Sequence, residues 1–250
     1  MSGLRGEVVL VTGASGAIGA AIAVELAERG ADLALLYHRT RGKAEAAAVL
    51  ARGLGVRAEV FQVDLSRPTL PEGFAAQVTA ALGAPTRVVL SAGASEGEFA
   101  LYMEPERVMS LLELNFRGAV LVAQAFLPAM VKARRGSLVA VTSEAAVHAL
   151  PMMGAYAASK AALTAWVRTL AAEVGQRGVR ANAVAPGLVD ADGMAASVPA
   201  AQRDAMLRTT PLGRLVTPQE VARAVLFLLD DAHSSGVTGQ VLSVDGGRSA

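Results

Sequence analysis

Tyr156 and Lys160 lie four positions apart, and Ser143 precedes the tyrosine by thirteen. Residues four apart share one face of a helix, so a phenol and an ammonium would be held side by side. Tyrosine titrates near about 10, and a neighbouring positive charge favours tyrosinate and lowers that pKa. Such a tyrosine can exchange a proton near neutral pH, as donor to a ketone or as base for an alcohol. The alternative is an amphipathic helix surface without chemistry.

A glycine-rich turn near the start of the chain is a second candidate site. The apolar run Glu7–Thr12 leads directly into the turn, and a helical pattern follows it. A strand, turn and helix in this order can hold a pyrophosphate on the N–H groups of the helix start, where the helix dipole favours negative charge. The sequence therefore predicts dinucleotide binding at Gly13, Ser15, Gly16, Ile18 and Gly19.

Short apolar runs alternate with helical patterns along the chain. Continuous apolar strands separated by helices indicate a parallel sheet covered on both faces. We predict an α/β fold: one doubly wound Rossmann domain over residues 1–250, with a seven-stranded parallel sheet and helices on both faces. The predicted strands are Val8–Thr12, Leu33–Tyr37, Ala58–Val63, Arg87–Leu90, Ser137–Thr142, Arg180–Ala185 and Val241–Val244. The predicted helices are Ile18–Arg29, Gly42–Leu54, Pro71–Leu82, Pro105–Ala133, Ala155–Gln176 and Pro218–Asp230.

One stretch interrupts this alternation. Leu188–Leu212 is rich in Ala, Met and Asp and is bounded by Gly187 and Pro211. We interpret it as a helical insert that acts as a lid over the substrate site.

Composition narrows the class of protein. The 250 residues are 53% hydrophobic and 18% charged, which is typical of a folded domain that buries roughly three quarters of its unfolded surface. A net charge of +1 gives no electrostatic argument for nucleic acid or an anionic membrane as a partner. The chain has no cysteine, which excludes disulfides, thiolate nucleophiles and Cys-ligated metals, and we predict no metal site.

Targeting segments are not expected either. The polar start Met1–Gly6 lacks the apolar stretch of a signal peptide. The longest apolar run, Gly118–Val131, is interrupted and too short to cross a bilayer. We therefore expect a cytoplasmic enzyme.

Together these motifs resemble the short-chain dehydrogenase/reductase family over essentially the whole chain. The glycine-rich turn is similar to the family's TGxxxGxG, and Tyr156-x-x-x-Lys160 is similar to its YxxxK. Two positions depart from the pattern: Ala17 replaces the middle glycine, and Ser91 replaces an asparagine that commonly braces the sheet. We expect the second to affect stability more than activity. Further matching segments are Asp64-Leu65, Ser91-Ala92-Gly93, Asn115, Ser143, Pro186-Gly187 and Ser243–Gly247.

The resemblance implies a catalytic set of Asn115, Ser143, Tyr156 and Lys160. Ser143 and Tyr156 would hold the developing oxyanion, and Tyr156 would give up its proton. Lys160 would keep the tyrosine acidic and hold the nicotinamide ribose, while Asn115 would anchor a water that links Lys160 to solvent. Alternatively, Ser143 only forms a turn and Asn115 only makes a core hydrogen bond.

The resemblance also implies further contacts with the cofactor. Asp64 would hold the adenine amino group and Leu65 would line its pocket; alternatively, Asp64 caps the following turn. The remaining implied contacts are Ala92, Gly93, Tyr156, Lys160, Pro186 and Gly187.

The end of the second strand bears on the choice of cofactor. An acidic residue there would hydrogen-bond the ribose 2′-hydroxyl of NAD. The segment Leu36–Arg41 has no carboxylate, and its two arginines can pair with a phosphate. We predict a preference for NADP(H), with Arg39 on the 2′-phosphate and NAD(H) less favoured. Alternatively Arg39 and Arg41 are solvated loop charges, and many NADP-using relatives carry a basic residue where Gly16 stands.

These features favour an NADPH-dependent carbonyl reductase, most similar to 3-oxoacyl-[acyl-carrier-protein] reductases in the loop Tyr37–Arg39. The substrate would be a small carbonyl compound or an acyl thioester, and an acidic acyl carrier protein is a candidate partner. An NAD(P)-dependent alcohol or sugar dehydrogenase and a non-catalytic nucleotide sensor are the alternatives. As in relatives, the long helices would pair between copies in a homotetramer. Candidate basic residues for the carrier, each of which could equally be an ordinary surface charge, are Arg134, Arg135, Arg168 and Arg177.

Overall fold

The structure is a computed structural model that describes residues 4–191 and 198–249. Within these residues, seven parallel strands form one sheet in the order β3-β2-β1-β4-β5-β6-β7. This confirms the predicted doubly wound α/β fold, and each predicted strand is present with its ends within one residue of the prediction. The strands are β1 Val8–Val11, β2 Asp32–Tyr37, β3 Ala58–Gln62, β4 Arg87–Leu90, β5 Gly136–Val141, β6 Val179–Pro186 and β7 Val241–Val244.

The helices follow the predicted pattern with three differences. Helix α3 begins at Phe74 rather than Pro71, a short helix α9 was not predicted, and one turn of π-helix, Glu113–Arg117, joins α4 to α5. The helices are α1 Ala17–Glu28, α2 Arg41–Gly53, α3 Phe74–Leu82, α4 Pro105–Leu112, α5 Gly118–Ala133, α6 Gly154–Val174, α7 Ala200–Thr209, α8 Pro218–Leu229 and α9 Asp231–Ser234.

The apolar core lies on both faces of the sheet. Strands β1 and β5 are buried along their whole length, because helices cover them on each side. One face packs against α1 and α8, through residues that include Ile22, Leu26, Val221 and Val225. The other packs against α3, α5 and α6, through residues that include Phe74, Val122, Phe126, Leu163 and Val167.

The strand order places a crevice at one edge of the sheet. Strand β1 pairs with β2 on one side and with β4 on the other, so the chain changes direction across the sheet at this point. Ligands of open α/β sheets bind outside the carboxyl ends of the strands at such a point. The glycine-rich turn follows β1 here, and Ser143 follows β5 at the same edge.

By length and composition alone, the helical run Pro105–Ala133 could cross a membrane, although a helix packed in a protein core passes the same test. Its side chains Val122, Phe126 and Met130 are buried in the core.

Of the predicted lid, residues 192–197 lie outside the described residues. The described part contains α7, and Val189 forms a single parallel bridge with Val216.

Candidate active site

The glycine-rich turn is shaped by two close backbone approaches. Gly13 has φ +69°, and a Cβ atom there would lie 2.8 Å from the Cα of Ala92. A Cβ atom on Gly19 would lie 2.8 Å from the carbonyl carbon of Gly13. Real Cβ atoms do not approach so closely, so both positions require glycine. Helix α1 starts beside this turn, and its first turn has no acidic residue that would repel a phosphate.

Thr12 joins the turn to the neighbouring strand, a role that the sequence analysis missed. Its buried hydroxyl oxygen accepts hydrogen bonds from the N–H groups of Ser91 and Ala92, each at 2.9 Å. These bonds hold the segment after β4 next to the segment after β1. The only sequence signal for this role of Thr12 was a polar residue directly after an apolar strand.

Asp64 follows β3 and His38 follows β2, so both lie at the end of the cleft that these two strands border. The Asp64 carboxylate accepts hydrogen bonds from the N–H of Ser66 at 3.0 Å and from its hydroxyl at 2.6 Å, which lower the pKa of Asp64. It also lies 3.5 Å from His38 Nε2. The turn-capping alternative for Asp64 is therefore observed. Arg39 lines the same end of the cleft and is exposed.

These segments enclose a single cleft of about 620 Å³, within the roughly 300–1,000 Å³ typical of small-molecule sites. Its size and its glycine-lined floor fit a dinucleotide. Every predicted cofactor contact lines it, and so do Ser143, Tyr156 and Lys160 of the predicted catalytic set. Asn115 does not line it. The predicted residues along the wall are Gly13, Ser15, Gly16, Ile18, Gly19, Arg39, Asp64, Leu65, Ala92, Gly93, Ser143, Tyr156, Lys160, Pro186 and Gly187.

Ser143 and Tyr156 lie together at the carboxyl edge of the sheet. Ser143 follows β5 and caps a turn of 3₁₀-helix, where its hydroxyl accepts a hydrogen bond from the N–H of Ala145 at 3.2 Å. Tyr156 is in the first turn of α6, and its side chain lies close enough to Ser143 for the serine to lower its pKa. The serine is thus both a turn former, as the alternative held, and a neighbour of the phenol.

Burial changes the expected acidity of the pair Tyr156 and Lys160. The expectation of a lowered tyrosine pKa is wrong, because the pKa of Tyr156 is raised above its ordinary value. Burial raises the pKa of Tyr156, the nearby Glu144 carboxylate raises it further, and only the Ser143 side chain opposes them. Lys160 is buried as well, which lowers its own pKa to about 8. Its Nζ donates a hydrogen bond to the backbone oxygen of Val141 at 2.9 Å.

Asn115 sits behind the cleft in the π-helical turn. It is fully buried, and its amide exchanges two hydrogen bonds of 2.9 Å with the backbone of Ala94. The same amide donates to the Ser159 hydroxyl at 2.9 Å. A Cβ atom on Gly93 would lie 2.9 Å from Asn115 Oδ1 and 3.2 Å from Lys160 Nζ, so these two atoms flank one point. Asn115 therefore makes core hydrogen bonds, as the alternative interpretation predicted, and its side chain lies close to Lys160.

The arginines proposed for carrier docking do not surround the cleft. Arg134 and Arg135 directly precede β5, and Arg177 precedes β6, so all three lie at the amino edge of the sheet, opposite the cleft. Arg134 donates to the backbone oxygen of Gln176 at 2.9 Å, and Arg135 pairs with Glu7. Arg168 lies two turns beyond Lys160 on α6. The sequence interpretation was wrong because it ignored which end of a strand each arginine adjoins.

Comparisons with known proteins agree with this geometry. Residues 13–249 match the family model described as enoyl-(acyl carrier protein) reductase. The chain is 36% identical over 244 residues to 3-oxoacyl-[acyl-carrier-protein] reductase FabG of Pseudomonas aeruginosa, covering 98% of each chain. It is 34% identical over 249 residues to L-rhamnose 1-dehydrogenase (NAD(P)(+)) of a Sphingomonas species, covering 98% of this chain and 96% of the relative.

A solved structure extends the likeness to three dimensions. The fold superimposes on 7α-hydroxysteroid dehydrogenase, complexed with NADH and 7-oxoglycochenodeoxycholic acid, with a TM-score of 0.92 and 31% identity. The match covers 98% of this chain and 95% of that structure. The names of these similar proteins span an acyl thioester, a sugar and a steroid, so the family is shared while the substrate varies. The chain belongs to the short-chain dehydrogenase/reductase family and is an NAD(P)-dependent oxidoreductase acting on CH–OH and C=O groups.

Proposed function

We propose that the protein is an NADPH-dependent carbonyl reductase. The observation that carries this proposal is that Ser143, Tyr156 and Lys160 line the same cleft as the glycine-rich turn. This shared cleft supports a site in which a proton donor acts beside a bound dinucleotide.

Each catalytic side chain has a role in moving a proton to the substrate oxygen. The nicotinamide, when bound, supplies the hydride for the carbonyl carbon. Ser143 and Tyr156 hold the developing oxyanion by hydrogen bonds, and Tyr156 gives its proton to it. Lys160 stabilises the tyrosinate that remains. Asn115 anchors a water next to Lys160, through which the proton is resupplied from solvent.

The preference for NADPH is supported by the charges near the end of β2. Arg39 lines this end of the cleft, and among the described residues it forms no ion pair with a carboxylate. A 2′-phosphate can therefore pair with its guanidinium. Asp64 lies at the same end of the cleft, but it accepts a hydrogen bond from Ser66 and lies 3.4 Å from the guanidinium of Arg67, so its charge is already partly compensated.

The first substrate class to test is 3-oxoacyl thioesters, which the similarity to 3-oxoacyl-[acyl-carrier-protein] reductase favours. Oxidation of a sugar is the second candidate, favoured by the similarity to L-rhamnose 1-dehydrogenase. The test is a panel followed by NADPH absorbance, with 3-oxoacyl thioesters, simple ketones and steroid ketones for reduction and sugars with NADP⁺ for oxidation. Turnover with the thioesters supports the proposal. A rate with sugars and none with any ketone overturns it.

We further propose that the enzyme is a cytoplasmic homotetramer with a lid over the substrate. Helices α5 and α6 and the π-helical turn before α5 bury one face in the core. They leave Phe116, Leu127 and Trp166 only partly buried, and these apolar side chains would pack against a second copy in a homotetramer. Leu188–Leu212 would close over the substrate. We place the enzyme in the cytoplasm. Light scattering tests the assembly, and a monomeric mass would contradict it.

A further inference from the structure

A buried ion pair lies directly beside the catalytic serine. Glu144, the residue after Ser143, has a side chain only 3% exposed, and Arg248, near the end of the chain, has one 11% exposed. Arg248 Nη1 donates a hydrogen bond to Glu144 Oε1 at 2.7 Å. Two charges removed from water attract each other strongly but lose their hydration, and breaking such a pair leaves one charge uncompensated. The residues are 104 positions apart in sequence.

The segment that carries Arg248 is fixed to the wall of the cleft. The Asp245 carboxylate accepts hydrogen bonds from the N–H groups of Gly247 and Ser249, each at 2.9 Å, and so folds the segment into a turn. Gly187 lies on the cleft, and a Cβ atom there would lie 2.9 Å from the Cα of Asp245. Arg248 is therefore presented to Glu144 by a turn that packs against the proposed cofactor site.

The pair faces several charged groups around the proposed proton donor. Burial raises the pKa of Glu144 and Asp245 adds to the rise, while Arg248 and His148 oppose it. The 3₁₀ turn that begins at Glu144 packs against α6, which carries Tyr156, and the Glu144 carboxylate raises the pKa of this tyrosine. Lys160 Nζ lies 6.0 Å from the centroid of the Tyr156 ring. The charge beside the tyrosine thus depends on whether Glu144 is paired.

We propose that Arg248 is a positioning residue for the reaction: by pairing with Glu144 it neutralises the carboxylate beside Tyr156, so that the C-terminal segment controls the charge around the proton donor. This inference rests on the role of Tyr156 proposed above. Without Arg248, the carboxylate would disfavour tyrosinate. Without Glu144, the lone guanidinium would favour it.

The test is a titration of Tyr156 in the protein alone, followed by the ultraviolet absorbance of tyrosinate. Subtracting the same titration of Tyr156→Phe in each background isolates this tyrosine from Tyr37 and Tyr102. Arg248→Met should move the midpoint upward by about 1 pH unit, and Glu144→Gln should move it downward by a similar amount. The double variant, which leaves no charge on either side chain, should return close to the wild-type midpoint.

Controls separate this electrostatic role from a purely structural one. Arg223→Met removes one side of a surface ion pair with Glu25 on a different part of the fold and should leave the midpoint unchanged. Arg248→Lys keeps the charge and should stay close to wild type. If Arg248→Met does not fold, Glu144→Gln and the double variant still decide the sign. Equal midpoints in all variants, or shifts of Glu144→Gln and Arg248→Met in the same direction, would overturn the inference. The titration uses the protein without cofactor or substrate, so its result does not depend on whether the proposed reaction occurs.

Discussion

The Nζ atom of Lys160 lies 6.0 Å from the centroid of the Tyr156 ring, within the same cleft. The lysine is fully buried and its described hydrogen bond goes to the backbone of Val141, not to the phenol. In the protein alone, burial therefore dominates the acidity of both groups, raising the pKa of the tyrosine and lowering that of the lysine.

The buried lysine predicts an unusual pH dependence of stability. Its pKa falls from 10.5 to about 8 on folding, so between these values the unfolded chain binds a proton that the folded protein does not. Wild-type stability should therefore rise with pH across this window, relative to Lys160→Met. The relative gain should be roughly 3 kcal/mol, since one pKa unit corresponds to about 1.4 kcal/mol. Urea unfolding of both proteins at several pH values measures it, and a difference that does not change with pH would contradict the burial argument.

Two glycines of the glycine-rich turn, Gly16 and Gly19, should respond differently to an added methyl group. Gly19→Ala places a Cβ atom against the backbone of Gly13, whereas at Gly16 the nearest atom would lie at 3.4 Å and φ is −86°. We expect Gly19→Ala to weaken dinucleotide binding at least about 10-fold, a loss of about 1.4 kcal/mol, and Gly16→Ala to change it little. Fluorescence titration with NADPH compares them. Equal losses in the two variants would show that steric room in the turn is not what matters.

Arg39 should determine the preference for the phosphorylated cofactor. Arg39→Ala should raise KM for NADPH about 10-fold while leaving KM for NADH nearly unchanged, because only NADPH carries the 2′-phosphate. Arg41→Ala is the matched control, since Arg41 begins α2 and does not line the cleft. A clear preference of the wild-type enzyme for NADH would overturn the choice of cofactor, whatever the variants do.

Much of the fold and cleft could be predicted because the signals are local. Strand β5 is a continuous apolar run, and Gly13 and Gly19 mark a turn that only glycine permits. Charges were harder to interpret, because their effects depend on burial and on distant partners. The pairing of Glu144 with Arg248 is set by the folded C-terminal turn, and no spacing in the sequence indicates it. Arg134 is different: it directly precedes β5, so its position at the amino edge could have been predicted from the strand direction.

The π-helical turn at Asn115 was likewise not predicted. Its sequence, Glu113–Arg117, has no proline or glycine that would mark a break between α4 and α5. The turn directs the Asn115 amide to the backbone of Ala94. Such turns often occur at functional sites, but they are set by tertiary contacts that a sequence pattern does not show.

The most direct test of the proposed reaction is turnover by Tyr156→Phe, which removes only the phenolic hydroxyl. Using any carbonyl substrate that the panel identifies, kcat/KM should fall by about 10² to 10⁴, the usual contribution of a general acid, while the Kd for NADPH stays within about 2-fold of wild type. A variant that binds NADPH normally and reduces the carbonyl at the wild-type rate would contradict the assignment of Tyr156 as the proton donor.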